Sequence, residues 1–355
     1  MVRFLLKVTT ASFTGCSSVY YRWREWVWGG SSVDESRDEF KKTWLRNTAS
    51  LTGVSAAFFA ILFWSTNALA AKFALAELGV VQVLALQFGG ATATLATLRV
   101  LRAARADAKK ANRSGEVVKW SSLRSSHILD GVLVGVVGLT ATIFLQYLAF
   151  ATAPIVEANV VAYGWPLFAA LWAALAYRSR QTLAGVPLAI IGFVGVALIL
   201  SSGGSIGSAD GGTAGYVAAL ASAVCMAFFT VMSGRSPYPV STFLLPATAF
   251  GMVFALVLCV TGFAPWLWSS VSVGAWVASV YAGVGPMAGG FWLWSVAMSG
   301  GGAKRLAPLG YATPLLSTVL LLLFGETFTS TTLFGALLVL VCSIGVLMMD
   351  RKERD

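Results

Sequence analysis

The chain has few charged residues for its length. Only 11% of its 355 residues are Asp, Glu, Lys or Arg, whereas 57% are hydrophobic and the mean hydropathy is +0.77. A soluble globular domain carries about a quarter charged residues, so this composition excludes an ordinary soluble protein. It predicts a chain that lies in a lipid bilayer.

Residue types that build catalytic and metal centres are also scarce. The single histidine, His127, has no second histidine with which to form a zinc site. The four cysteines are widely spaced, and no Gly-Lys-Ser/Thr phosphate loop occurs, which argues against ATP hydrolysis. We therefore expect no catalytic residues, no bound metal and no cofactor.

Long apolar runs recur along the chain. About 18 to 20 apolar residues are needed to cross the hydrocarbon core of a bilayer. The predicted spans are residues 51–75, 80–101, 128–150, 154–177, 182–200, 213–232, 240–263, 273–298, 306–324 and 328–349. Because these runs do not alternate as barrel strands do, they predict an all-α integral membrane protein with ten transmembrane helices.

The basic residues fall on one side of this predicted topology. Of the 25 Lys and Arg residues, only Lys72 lies near the opposite membrane face. The positive-inside rule therefore predicts a multi-pass protein of the cell inner (plasma) membrane with both termini cytoplasmic. The same distribution assigns the net charge of +10 to membrane boundaries and anionic lipid, so we expect the bilayer and no nucleic acid as partner.

One motif occurs twice. Tyr163 and Pro166 reappear as Tyr311 and Pro314, each pair followed by an apolar run and a Gly-rich span. Each half contains five predicted spans, and this odd number places the second copy upside down relative to the first. Two inverted five-helix repeats predict a substrate site between the halves at mid-depth, with alternating access from two packings of similar energy.

These repeats divide the chain. The predicted units are a basic N-terminal extension (1–50), a first five-helix repeat (51–201), an extracytoplasmic linker (202–212), a second repeat (213–350) and a cytoplasmic tail (351–355). The extension is acid-poor over its first thirty residues, which suits an amphipathic arm, a transit peptide or sequence upstream of the true start. We expect it to be poorly ordered.

Two ionisable residues lie within predicted spans on the outer side. An ionisable side chain in hydrocarbon costs at least about 2.5 to 3.5 kcal/mol, so those that remain usually face protein or water. Lys72, late in span one, and Glu157, early in span four, are expected at similar depth, where they either pair or bind the two charges of a zwitterion. Alternatively, Lys72 snorkels to the membrane surface and Glu157 favours a helix start.

Aromatic and polar residues within spans are further candidates for lining the cavity. Tyr163, Trp165, Trp294 and Tyr311 either enclose an apolar solute or belong to the lipid-facing aromatic belt. The polar candidates, which either face the cavity or join helices, are Ser65, Thr66, Asn67, Gln87, Gln146, Asn159, Tyr281, Thr313 and Ser317.

Proline and glycine mark irregular helices. Pro166 and Pro314 each remove a backbone donor within a span, and either a hinge or a static packing kink fits them. Pro286 lies among four glycines in span eight, which predicts the least regular helix of the chain. Gly131, Gly135 and Gly138 form a small-residue stripe in span three for close helix contact.

Several segments resemble a known family. Leu321–Glu326 and the Gly-rich span after it resemble the repeat signature of the drug/metabolite transporter superfamily, specifically its EamA family. Residues 157–166, Trp294-Ser295 and residues 311–317 resemble amino-acid exporters of the YddG type within that family. The resemblance covers residues 51–349 and implies ten helices and export of neutral, preferably aromatic, amino acids through a central cavity. The substrate-binding set proposed from both readings is Asn67, Lys72, Gln146, Glu157, Tyr163, Trp165, Trp294, Tyr311 and Ser317.

Other functions stay open at this stage. Lys304-Arg305 departs from the YddG type and suits an organophosphate exchanger, the alternative within transport. A membrane enzyme would need an acid or histidine cluster that the sequence does not contain, and an accessory channel subunit is the third possibility. We expect a secondary transporter that takes a small-molecule substrate, is driven by gradients and functions as a monomer.

Overall fold

The described part of the chain is helical. In the computed structural model, the described residues are 51–110, 133–165, 168, 171–172, 187, 190–195, 198, 212–235, 241–261, 271–298, 312–327 and 329–352. Within them, five helices are long and apolar enough to cross a membrane: Gly53–Leu75, Val80–Arg102, Val134–Thr152, Thr213–Thr230 and Phe243–Val260. The prediction of an all-α membrane protein is thereby confirmed. The predicted extension 1–50, His127, Pro166, Lys304-Arg305 and Tyr311 lie outside the described residues.

Eleven α-helical segments of eight residues or more lie in this part of the chain, and residues 190–195 are helical as well. The eleven segments are α1 (Leu51–Ser65), α2 (Asn67–Leu75), α3 (Val80–Lys110), α4 (Ala141–Thr152), α5 (Ile155–Ala162), α6 (Gly212–Arg235), α7 (Ser241–Val260), α8 (Val273–Ala282), α9 (Phe291–Met298), α10 (Ala312–Leu323) and α11 (Ser330–Lys352). A π-helical segment, Val134–Thr140, leads into α4, and a second, Gly283–Gly290, joins α8 to α9. The predicted irregularity of span eight is this second segment, with Pro286 buried inside it.

The prediction of one continuous helix over residues 154–177 is wrong. Helix α5 ends at Ala162, and Tyr163 and Gly164 form a turn. The sequence favours a break here, because Pro166 has no amide hydrogen to donate to the carbonyl of Ala162, the residue at which α5 ends. The turn fixes the direction in which Tyr163 points.

Helices of the first half pack mainly on helices of the second half. Helix α3 lies along α7, α4 with its π-helical segment lies along α6, and α1 lies along α9 and the second π-helical segment. Helix α5 contacts both α6 and α10, and α10 also contacts α1 and α2. The buried core therefore forms between the halves.

Glycine in the first π-helical segment permits close helix contact, as the small-residue stripe predicts. A methyl group on Gly138 would lie 2.6 Å from Cβ of Phe229 on α6, and one on Gly135 would lie 2.9 Å from Cβ of Ala247 on α7. Thr140 adds a bond across the same contact, because its Oγ1 donates to the carbonyl of Ala247 at 2.9 Å.

Candidate functional site

A break between α1 and α2 places three consecutive polar residues at the centre of the helix packing. Ser65 is buried and its Oγ donates to the carbonyl of Ile61 in its own helix at 2.7 Å. The Thr66 hydroxyl donates to the carbonyl of Phe63 at 2.8 Å and lies 2.7 Å from the Tyr281 hydroxyl. Because Thr66 has one hydroxyl hydrogen, the tyrosine is then the donor. The break is thereby tied to α8.

Asn67, the third of these residues, meets α4. The hydroxyl of Tyr147 donates to Oδ1 of Asn67 at 3.1 Å, and both side chains are buried. Gln146, the neighbour of Tyr147, is buried on the same helix. Two predicted substrate-binding residues, Asn67 and Gln146, therefore lie on helices joined by a buried hydrogen bond.

Helix α5 and the turn after it form two further hydrogen bonds to neighbouring helices. Nδ2 of Asn159 donates to Oγ of Ser317 on α10 at 3.1 Å, with both residues buried. The hydroxyl of Tyr163 donates to the backbone carbonyl of Trp64 on α1 at 3.3 Å. The predicted residues Ser317 and Tyr163 thus join the polar centre from two helices.

Aromatic rings form an apolar wall beside these polar groups. The ring of Trp64 lies 5.2 Å from that of Trp294 and 5.2 Å from that of Phe291, measured between ring centroids. Gly290 allows the approach, because a methyl group there would lie 2.7 Å from Nε1 of Trp64. Trp294, predicted to line the cavity, packs here in a tilted arrangement, and Phe291 packs edge-to-face, as aromatic pairs prefer.

Several buried polar atoms near this centre have no hydrogen-bond partner among the described residues. They are Nε1 of Trp64, Oε1 of Gln87 and Oγ1 of Thr313, whereas the amide nitrogen of Gln87 faces the hydroxyl of Tyr147. A buried polar group without a partner costs about 1 to 3 kcal/mol. Such groups are available to water or to a polar solute, and together they offer both donors and acceptors.

Lys72 and Glu157 lie toward the end of the bundle at which α2 and α10 end, and they do not pair with each other. Nζ of Lys72 lies 2.8 Å from Oε1 of Glu326 and donates to the carbonyl of Phe324 at 2.8 Å. Glu157, in the first turn of α5, accepts from the Thr332 hydroxyl at 3.2 Å. The predicted alternative of an ion pair between Lys72 and Glu157 is not observed. The turn after α10 instead brings Glu326 to Lys72.

That turn is a Schellman motif at the end of α10. The amide of Glu326 donates to the carbonyl of Leu321 and the amide of Gly325 donates to that of Leu322, each at 3.1 Å. Gly325 has φ 87°, a left-handed conformation that glycine adopts without steric cost. The motif holds in place the two groups that contact Lys72, the Phe324 carbonyl and the Glu326 carboxylate.

The remaining predicted residues are less connected. Trp165 is half-buried beyond the Tyr163-Gly164 turn, and no described residue forms a hydrogen bond or ring contact with it. Pro314 is the third residue of α10. The structure therefore brings together Asn67, Tyr163, Trp294 and Ser317. It adds Trp64 and Tyr147, which the sequence analysis did not select because an aromatic residue in an apolar span is usually core or lipid-facing.

Comparison with known proteins gives consistent matches. The sequence pattern of the EamA-like transporter family matches residues 51–201 and 213–348. The chain is 34% identical over 192 residues to the aromatic amino acid exporter YddG of Ancylobacter novellus, an alignment that covers 54% of this chain and 66% of the relative, just under two thirds. A crystal structure of a protein with 30% sequence identity aligns with a TM-score of 0.57 and covers 86% of this chain and 98% of the solved chain.

Proposed function

Because this chain belongs to the EamA-like transporter family, we propose that it is a secondary exporter of small zwitterionic metabolites, foremost neutral and aromatic amino acids. As a family member it is a multi-pass membrane transporter rather than an enzyme. The similarity to an aromatic amino acid exporter supports the substrate class. The solute would be driven by its gradient across the membrane.

One observation carries the substrate proposal: the centre of the bundle combines unpaired polar atoms with an aromatic wall. Oε1 of Gln87 offers an acceptor, and Nε1 of Trp64 offers a donor. Trp64, Phe291 and Trp294 supply ring surface for an apolar or aromatic side chain. A neutral amino acid has the matching chemistry, because it carries a carboxylate, an ammonium and one uncharged side chain.

The packing of the helices supports two inverted repeats. When α1–α2 is matched to α6, α3 to α7, α4 to α8–α9 and α5 to α10, the main contacts of one half have counterparts in the other. The contact of α4 with α6 corresponds to that of α9 with α1, and the contact of α5 with α6 to that of α10 with α1. The two π-helical segments also fall in matched helices. We propose repeats at 51–201 and 213–350 that move against each other in alternating access.

The positive-inside distribution supports the proposed orientation. Both termini would be cytoplasmic, in the cell inner membrane, and the bundle would act as a monomer because its polar centre is formed within one chain. The outer end is then the one that contains Lys72, Glu77 and Glu326.

Transport by purified protein in proteoliposomes tests the function directly. We expect saturable flux of radiolabelled phenylalanine, lost in Trp64→Ala and retained in Phe58→Ala, a control on the same helix whose side chain is 57% exposed. Tyr163→Phe, which keeps the ring and removes the hydroxyl, should reduce the flux. The absence of saturable amino-acid flux in well-folded protein, or flux of sugar phosphate instead, would contradict the proposal.

A further inference from the structure

Three polar contacts join the two halves at the proposed outer end. Lys72 binds Glu326, Glu77 accepts from Ser272, and Glu157 accepts from Thr332. In each contact, the charged side chain of the first half reaches a turn or helix start of the second half. The contacts therefore hold this end of the bundle closed.

The Lys72 contact differs from the Glu77–Ser272 contact, which also borders a cavity, because it places an ammonium group at the cavity wall. A cavity of about 520 Å³ is lined by Lys72 and Glu326 and by apolar residues that include Leu75, Phe150 and Ile155. The side chains of Lys72 and Glu326 are 29% and 28% exposed, so both are reached by water. An ammonium group beside apolar walls suits a carboxylate that carries an apolar group.

Glu326 shows the geometry in which a carboxylate contacts Lys72. Its Oε1 lies 2.8 Å from Nζ of Lys72, the distance of a charge-assisted hydrogen bond. It is held by the Schellman motif and is chemically equivalent to the carboxylate of a free amino acid. A solute carboxylate that reaches Lys72 therefore competes with Glu326 for the same ammonium.

We propose that Lys72 is an exit-side carboxylate site, which Glu326 occupies while the outer end is closed and from which a solute carboxylate displaces it. Displacement breaks one of the three contacts and favours opening toward the exterior. The proposal rests on the proposed amino-acid export for its ligand, but the closure of the outer end by Lys72 and Glu326 does not depend on it.

A cysteine placed deeper in the bundle than Lys72 and Glu326 measures opening of the outer end by its rate of labelling, without a transport assay. Ala68 lies one helical turn before Lys72 on the same face of α2 and is 1% exposed. In a background without the four native cysteines, Ala68→Cys should react slowly with a membrane-impermeant thiol reagent applied to intact cells. Thr261→Cys, an exposed position directly after α7 that does not line this cavity, is the control and should react at one rate in all variants.

The expected results separate closure from carboxylate binding. Glu326→Gln and Lys72→Met should each raise labelling of Ala68→Cys by about two- to fivefold, the range for a partly exposed ion pair. Phenylalanine should raise labelling with the pair intact but not in Lys72→Met, and it should act at lower concentration in Glu326→Gln. Phenylalaninamide, which lacks the carboxylate, should have no effect.

Each contrary result has its own meaning. Unchanged labelling in both variants would overturn closure by this pair, even if phenylalanine is transported. An equal effect of phenylalaninamide and phenylalanine would overturn the carboxylate site. Raised labelling in the variants without any phenylalanine flux would instead refute the amino-acid function and leave the closure standing. An unlabelled Thr261→Cys control would overturn the exterior position of this end.

Discussion

The hydrogen bond between Asn159 and Ser317 gives the sharpest test of the centre of the bundle, because it joins the two halves and both residues are fully buried. Nδ2 of Asn159 and Oγ of Ser317 are 3.1 Å apart, and the residues are 1% and 0% exposed. Ser317→Ala leaves the buried amide without its acceptor, at a cost of about 1 to 3 kcal/mol in the free energy of unfolding. Asn159→Leu leaves a hydroxyl, which can turn to its own helix, and should cost less.

A double-mutant cycle isolates the bond itself. Interhelical hydrogen bonds in membrane proteins contribute about 0.6 kcal/mol on average and up to about 1.7 kcal/mol. We expect a coupling energy in the upper part of this range. The loss of stability in the double variant should then be smaller than the sum of the losses in the two single variants. Reversible unfolding in mixed micelles measures it. Ser295→Ala is the control, because its hydroxyl bonds within its own helix to the carbonyl of Phe291 at 2.8 Å. Additivity within about 0.3 to 0.5 kcal/mol would refute a direct bond.

Three further predictions follow from single contacts. Gly138→Ala should lower the free energy of unfolding by about 1 to 3 kcal/mol, because the new methyl group meets the backbone and side chain of Phe229 on α6. Gly89→Ala is the control and should cause no such loss, because the nearest atom to its new methyl group is 3.9 Å away. Equal losses in the two variants would contradict the packing. Gly325→Ala should lower the free energy of unfolding by about 1 kcal/mol or more, because the backbone at this position is left-handed. It should also raise the labelling of Ala68→Cys, as Glu326→Gln does. Hydrogen bonds from the Ser272 side chain and backbone lower the pKa of Glu77 below 4.5. The contact therefore contributes fully to stability above pH 4.5, and this contribution is lost as the pH falls further. Glu77→Gln should remove this part of the acid sensitivity of thermal unfolding, and an unchanged pH profile would count against the contact.

The sequence predicted the fold class because composition and run length act over many residues at once. Spans one, two, three, six and seven coincide with helices to within a few residues, since the bilayer sets their length. The error in span four has a local cause. Apolar composition continues through Tyr163 and Gly164, and only the Pro at 166 indicated that the helix would end before it.

Site residues were harder to predict because position on a helix does not determine the partner. Asn67 and Ser317 were selected as polar residues in apolar spans, and both lie in the polar centre. Trp64 was not selected, because nothing in its local sequence distinguishes it from a lipid-facing ring. Glu326 belongs to the segment that resembles the repeat signature, but its contact with Lys72 depends on long-range packing of α2 against α10.

The glycine-rich π-helical segment, Gly283–Gly290, has a consequence for the direction in which the rings behind it point. In an α-helix each residue turns the chain by about 100° and advances it by about 1.5 Å. A π-helical turn contains one residue more than an α-helical turn, so the segment shifts the residues after it by about 100° relative to an uninterrupted α-helix of the same sequence, and this shift turns Trp294 toward Trp64. A single-residue deletion that makes the segment α-helical would therefore keep α9 in its orientation, whereas a substitution that makes it α-helical at the same length would rotate Trp294 away from Trp64.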